Sequence, residues 1–480
     1  MNLFTIDALE PASVRTQVVK RGGLVLLATG LLGAVAFGQS ETAWVDTLNV
    51  AIPVVIGCVC GAIFLSVVVR GPHMMAMPAP WFFAACGGYF SLGALANVFS
   101  NDRTIEYINS FYRISALGLL RTNILNAVSI AIVCLVYWGG SRGVRHPTNV
   151  RPKASNERLM LLLCFTALPA KYFLLVPKWF HLLNFVPPSS IASLGIATHM
   201  LLLLLWYEVH AGKRKYLVPA IAFLALELVV GLASFSKLEV LTTLFATFLA
   251  FALHRPTKRT LVVGAAVVVS TYLVLVPFVR EGRKLLAEES VASLEARSAV
   301  LSSVASETNV TVDERQNWWS RLSYNTAQAF AMDAYDRGYP GTSFDNVAMT
   351  LVPRWLWHDK PIRSLGQEFS RLATGDDETA SAPGIFAEGY WNLGWPGVVL
   401  VCVYVGIFFA GIEAIAMPFV LVHDFRWLVS GFFSLLLALR PDDWFVPTYI
   451  TGTIFILACL LAVLVAVPAQ IPANQASESA

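Results

Sequence analysis

Long apolar stretches, each bounded by charged or turn-forming residues, recur along most of the chain. A helix needs about 20 mostly apolar residues to cross a bilayer. Twelve stretches approach that length: 22–38, 48–69, 77–99, 119–138, 158–177, 190–207, 217–234, 238–253, 260–279, 394–413, 425–440 and 446–467. Between the ninth and the tenth the pattern changes, and residues 280–393 form the one long hydrophilic stretch. The pattern predicts an all-α, polytopic membrane protein. Nine transmembrane helices fall in 1–279, a large and partly helical loop in 280–393, three more helices in 394–467, and a disordered tail in 468–480.

Two helices are expected inside the loop. Leu285, Leu286, Val291, Leu294, Val300, Leu301 and Val304 give 285–304 an amphipathic pattern suited to the membrane interface. A second helix over 315–337 puts Asn317, Arg321, Tyr324, Asn325 and Gln328 on one face, with Trp319, Leu322, Ala329 and Phe330 opposite. Gly338-Tyr-Pro-Gly341 then breaks it.

Composition agrees with the pattern. Hydrophobic residues make up 56% and charged residues 14%, against about 25% charged in a soluble domain. That excludes an ordinary soluble enzyme and a nucleic-acid binder built on a basic patch; no nucleic-acid partner is expected, and the lipid bilayer is. The seven cysteines all lie in apolar stretches and read as small buried hydrophobes. Lys and Arg set the orientation. One side carries Arg15, Lys20, Arg21, Arg70, Arg142, Arg145, Arg151, Lys153, Arg158, Lys213, Arg214, Lys215, Arg255, Lys258 and Arg259, whereas the opposite short loops hold Arg103, Arg113, Lys178, Lys237 and Arg440. Both termini are therefore expected in the cytoplasm and the long loop outside it, where there is no ATP.

Candidate chemistry gathers at that outer face. Arg280, Arg283 and Lys284 follow the ninth stretch at helical spacing. Arg280 is the candidate anion ligand, while Glu281, Glu288 and Glu289 are within reach to pair Arg283 and Lys284. Lys237 sits in the short turn Ser234-Phe-Ser-Lys237, too tightly held to wander, and Arg440 precedes Pro441, Asp442 and Asp443 on the same side. Between Pro353 and Pro361, Arg354, His358, Asp359 and Lys360 stand among Trp355 and Trp357, an acid–base group, a carboxylate and two cations at head-group depth. Glu388, packed among Gly, Tyr and Trp, is a carboxyl whose pKa can rise. The cations Arg280, Lys237, Arg354, Lys360 and Arg440 suit a lipid diphosphate. Arg321, Tyr324 and Asn325 suit sugar hydroxyls. Inside the apolar stretches, Lys171 is expected to snorkel, and His199 and Glu227 to be hydrogen-bonded packing residues.

Arg321-Leu-Ser-Tyr-Asn325, Gly338-x-x-Gly-x-Ser-Phe344, Pro353-Arg-x-x-Trp-x-Asp-Lys-Pro361 with Gly366, and Glu388-Gly-Tyr-x-Asn-x-Gly394-x-x-Gly397 together resemble bacterial O-antigen polymerases, the oligosaccharide repeat-unit polymerases. Ser234-x-Ser-Lys237 and Arg440 are similar in placement. The resemblance runs from the seventh stretch to the twelfth. It implies an inner-membrane glycosyltransferase with the metal-independent fold shared with O-antigen ligases, needing no cofactor. Such an enzyme moves a growing glycan from undecaprenyl diphosphate onto a new lipid-linked repeat unit, with a chain-length regulator and a flippase as candidate partners. Glu388 or His358 is then the expected base, with Asp359 orienting. Two alternatives stay open: a ligase that hands the glycan to lipid A core, and a transporter of lipid-linked sugar or polysaccharide.

Overall fold

The computed structural model describes residues 12–39, 42–68, 75–141, 156–180, 182–183, 185, 187, 189–254, 257–288, 297, 319–352, 357, 364–375, 381–421 and 423–467. Among them there is no strand. The helices that matter here are α1 (Ala12–Gln39), α2 (Thr42–Val68), α3 (Pro78–Phe99), α4 (Asp102–Phe111), α5 (Ala116–Ser141), α6 (Asn156–Trp179), α7 (Ser189–Ile196), α8 (Thr198–His210), α9 (Leu217–Ala233), α10 (Lys237–His254) and α11 (Lys258–Glu288). They are followed by α12 (Asn325–Asp336), α13 (Leu365–Thr374), α14 (Ile385–Leu393), α15 (Trp395–Ile415), α16 (Leu428–Ala438) and α17 (Thr451–Ala466).

Among the described residues ten helical stretches are long and apolar enough to cross a membrane, and two shorter apolar helices, Val262–Val276 and Phe425–Ala438, fall where the remaining two apolar stretches of the sequence lie. The chain is thus an all-helical, multi-pass membrane protein. Large apolar side chains such as Phe165, Val218, Val274 and Val465 are more than two-thirds exposed, as lipid-facing positions must be when the solvent is hydrocarbon.

The core forms around α5, the most buried of the candidate spans. α1 and α15 pack along it. α1 approaches closely because it offers glycine at the seam: a Cβ on Gly23, Gly30 or Gly33 would come within 2.9, 2.6 and 2.9 Å of Cys134, Val128 and Ile124. Small residues at a contact let helix backbones draw near where no hydrophobic force drives association. α6 to α11 form a neighbouring group, in which α10 packs against α8, α9 and α11.

Among the described residues three π-helical turns interrupt the regular helices, at Gly88–Leu92 in α3, Ala170–Leu175 in α6 and Phe445–Ile450 leading into α17. Such turns widen a helix locally and release backbone groups, and they concentrate at functional sites. The helix expected over 315–337 is described as a 3₁₀ turn, Ser320–Leu322, followed by α12, and it ends where Gly338 adopts φ +85°. Only Gly takes that conformation without cost. Most of the expected amphipathic helix at 285–304, and the tail 468–480, lie outside the described residues.

Candidate functional site

The segment 319–325 folds back onto α3, and the site is built around that contact. A Cβ on Gly93 would sit 2.0 Å from the Leu322 carbonyl oxygen, so the two backbones touch only because residue 93 has no side chain. Trp319 Nε1 donates to the Leu92 carbonyl, and Asn97 Nδ2 donates to Ser323 Oγ at 2.8 Å. These bonds fix Arg321 and Tyr324 beside α3.

Arg321 meets two further cations. Lys237 is the first residue of α10, and its ammonium lies over the Tyr272 ring, 5.7 Å from the centroid. It feels the like charges of Arg321 and Arg283. Arg283, on the last turns of α11, donates from Nε to the Phe235 carbonyl at 3.1 Å. Burial first, and the Arg321 charge second, hold its guanidinium below the ordinary value. Among the described residues neither Lys237 nor Arg283 forms an ion pair with a carboxylate. The turn that presents Lys237 is strained: Phe235 has φ +47°, a conformation that is a genuine outlier for a bulky residue. Its ring is fully buried against Gly282 of α11, where a Cβ would come within 2.0 Å of it.

Tyr324 links these cations to the loop before α17. Its hydroxyl donates to Asp442, and its ring meets Tyr89 edge-on at 5.5 Å. Burial and the two carboxylates Asp442 and Asp443 push the Tyr324 phenol well up. Burial likewise pushes Asp442 up to about 6, with Asp443 adding to the shift and Tyr324 and Arg440 opposing it. Arg440 pairs with Asp443, which also accepts from Thr448 Oγ1 at 2.9 Å and from its neighbour's backbone, Trp444 N, at 2.8 Å.

Glu388 lies behind this group. It is fully buried, and its two oxygens accept the backbone N–H groups of Phe445 and Val446, the latter at 3.4 Å, with a further hydrogen bond to Ser343. A helix begins with N–H groups that have no partner of their own, and this carboxylate meets two of them at the π-helical start of the last apolar helix. Burial pushes Glu388 up to about 7, against the pull of those hydrogen bonds. One turn on, Asn392 donates to Ser343 Oγ at 2.8 Å and accepts from Phe344 N at 3.1 Å, so α14 grips both flanking segments.

Asn325 faces away from this mouth. It is buried and donates to Thr122 Oγ1 at 2.9 Å and Asn123 Oδ1 at 3.1 Å, while Gln328 and Asn126 exchange amide hydrogen bonds of 2.8 and 3.0 Å. The polar face of α12 therefore packs on a polar strip of α5. Arg280 is carried on α11 one turn before Arg283, with its side chain outside the described residues; Arg354, His358, Asp359 and Lys360 are also outside them. Of the sequence candidates, Lys237, Arg321, Tyr324 and Arg440 share one neighbourhood, with Glu388 behind it. Asp442, Arg283, Tyr272 and Tyr89 belong to that neighbourhood and were not singled out from the sequence as site residues. The Asp pair after Arg440, in a short turn between two apolar stretches, was the legible signal. Comparison of the chain with family models, curated proteins and solved structures gives no match.

Proposed function

We propose that this protein is a glycosyltransferase of the inner membrane that joins oligosaccharide repeat units carried on undecaprenyl diphosphate, as the resemblance to O-antigen polymerases implies. Twelve spans, cytoplasmic termini and an external 280–393 loop are part of the reading. One observation carries it: Lys237, Arg283 and Arg321 converge beside the Tyr324–Asp442 pair at the end of an apolar bundle. Three cations held against one another favour a multivalent anion, and guanidinium groups match phosphate oxygens in a bidentate fork. A phenol and a carboxylate next to them can hold and deprotonate a hydroxyl.

In the reaction the acceptor hydroxyl oxygen attacks the anomeric carbon of the donor sugar. The bond from that carbon to the diphosphate breaks, and the leaving diphosphate keeps the electron pair. Lys237, Arg283 and Arg321 stabilise the charge that builds there. Asp442 takes the acceptor proton; a carboxylate with a pKa near 6 is largely ionised yet basic enough at neutral pH. Tyr324 orients it. Glu388 acts through position, by fixing the segment that carries Asp442. Arg280, Arg354 and Lys360 remain candidates for the diphosphate, and His358 with Asp359 for proton transfer.

The test is the glycan length distribution in a strain lacking the gene. A polymerase deletion leaves single repeat units on the final acceptor. A ligase deletion leaves long glycan on the lipid carrier, and a transporter deletion leaves repeat units on the inner leaflet. Either of the last two outcomes overturns the proposal.

A further inference from the structure

Five ionisable side chains meet inside the second group of helices, apart from the mouth. Lys171, on the π-helical turn of α6, places Nζ 2.5 Å from Glu227 Oε2 on α9 and 2.6 Å from Glu239 Oε2 on α10. Tyr172 donates to Glu227 Oε1 at 2.9 Å. Lys171 does not snorkel as expected: its side chain is 1% exposed and Glu227 is 0%. The two carboxylates hold it inside, because leaving either of them buried without a partner costs more than bending the lysine inward. The side-chain atoms of His199, Glu227 and Glu239 lie within 4.8 Å of one another, and the Lys171 ammonium is the cation this set holds.

His199, on α8, completes the group. Its Nδ1 is 3.1 Å from the Ile196 carbonyl. A carbonyl only accepts, so the proton of the neutral ring sits on Nδ1 and Nε2 presents a lone pair. That nitrogen lies 3.6 Å from Glu227 Oε2 and 3.6 Å from Glu239 Oε2, with no hydrogen-bond partner. Three acceptor atoms thus face one another away from water. The charges do not balance either: one ammonium stands against two carboxylates. A single proton on Nε2 removes both defects, because it turns the ring into a donor between two acceptors and brings the cluster to neutrality. Among the described residues the charges that act on the ring are Lys171, which opposes a proton there, and Glu227 and Glu239, which favour one. α7 and α16 carry no charged residue, Glu157 and Arg158 lie at the far start of α6, Glu208, His210, Lys213, Arg214 and Lys215 lie at or beyond the far end of α8, Lys237 and His254 are the two ends of α10, and Lys178 and Arg297 line the cavity that Glu239 opens to.

Glu239 is the way in. Its side chain keeps 13% exposure and lines a cavity of about 440 Å³ together with Lys178, Trp179, Ser234, Ser236 and Arg297. We propose that His199 Nε2 is a proton-binding site, loaded from this cavity through the Glu239 carboxylate. A proton from cavity water passes to Glu239 and on to Nε2, and it returns by the same route when the pH rises; no other reactant takes part. The site is independent of the glycosyl-transfer reading and uses none of the residues assigned to it.

The test is nitrogen-15 NMR of histidine-labelled full-length protein in lipid nanodiscs. The chain has 8 histidines, and the resonances lost in His199→Gln belong to His199. If that variant does not fold, the histidine shifted by Glu239→Gln gives the assignment. At high pH the ring should be neutral with the proton on Nδ1, and on acidification Nε2 should take one proton. Glu239→Gln should lower the midpoint by about 1–3 pH units, because it removes one of the two carboxylates facing Nε2. A ring that keeps one protonation state from about pH 9 to about pH 4, spanning the ordinary imidazole range, overturns the proposal. So does a neutral ring with its proton on Nε2, or a midpoint that Glu239→Gln leaves unchanged.

Discussion

Glu388 shows how one side chain can be read correctly for its chemistry and still leave its contacts hidden. A carboxyl among Gly, Tyr and Trp is recognisable in the sequence as a group whose pKa should rise. That it caps the start of the last apolar helix is not, since Phe445 and Val446 lie more than fifty positions away. The consequence is a pH-dependent stability. Folded Glu388 titrates at about 7 against an ordinary 4.5. Below 4.5 both folded and unfolded chains hold the proton and nothing is lost. Between these values the folded chain binds the proton more tightly, so stability falls as pH rises, by on the order of 3 kcal/mol in total. Glu388→Gln keeps an acceptor oxygen and cannot ionise. Its melting temperature in detergent should therefore change less than the wild type's between about pH 5 and pH 8. Parallel curves for the two proteins would mean that folding leaves the Glu388 carboxyl at its ordinary pKa.

Arg283 makes the opposite point. Its guanidinium donates to the Phe235 carbonyl and stands near Lys237 and Arg321, because the tight α9–α10 turn presents a backbone acceptor that sequence spacing cannot reveal. Replacing either Lys237 or Arg283 by Ala should lower the transfer rate about 10²–10³-fold, the usual cost of removing one donor from a developing anion, at unchanged membrane abundance. A loss of activity that simply tracks loss of protein would assign them to folding instead.

The apolar stretches were legible as elements because a bilayer demands length and hydropathy above all. Their partners were not, since periodicity finds a polar face without saying what covers it. α12 is the case in point. Asn325 reads as a sugar-facing group and Gln328 shares its polar face, and Asn123 and Asn126 of α5, polar positions inside an apolar stretch, are what they meet. The three described π-helical turns carry Tyr89, Lys171 with Tyr172, and the Phe445 and Val446 N–H groups, so irregular helix lies beside the Tyr324–Asp442 pair, the buried lysine and Glu388, though not at the amide strip between α5 and α12. Contact between α3 and the 319–325 segment rests on Gly93. Gly93→Ala would push a methyl group to 2.0 Å from a backbone oxygen that cannot swing aside. Overpacking of this kind costs about 1–3 kcal/mol. The variant should melt earlier and, by displacing Arg321 and Tyr324, lose transfer activity beyond what its abundance explains. Wild-type melting and activity would mean that the two segments separate freely.

For the molecule as a whole, the proposal depends on which side of the membrane the mouth faces. On the Lys and Arg asymmetry the proposal sets residues 280–393 outside the cytoplasm. A periplasmic reporter fused after residue 310 should be active, and a cytoplasmic reporter at the same point silent; the reverse pattern would remove the lipid-linked glycan from reach and end the functional reading. This orientation is an expectation drawn from charge asymmetry alone. The mouth itself was only partly available, because bringing Lys237, Arg321 and Asp442 together requires the packing of α3, α10, α11 and the last apolar helix.

The most direct measurement is a reconstitution. Purified protein in liposomes is given undecaprenyl-diphosphate-linked repeat units and no nucleotide sugar. Products are then separated by glycan length, and released lipid diphosphate is counted. The account predicts a ladder of lengthening glycans, one lipid diphosphate released for each bond formed, and no ladder from a Lys237→Ala, Arg321→Ala double variant that is inserted normally. Repeat units that stay single with the folded wild-type protein, or a ladder undiminished in the double variant, would contradict it.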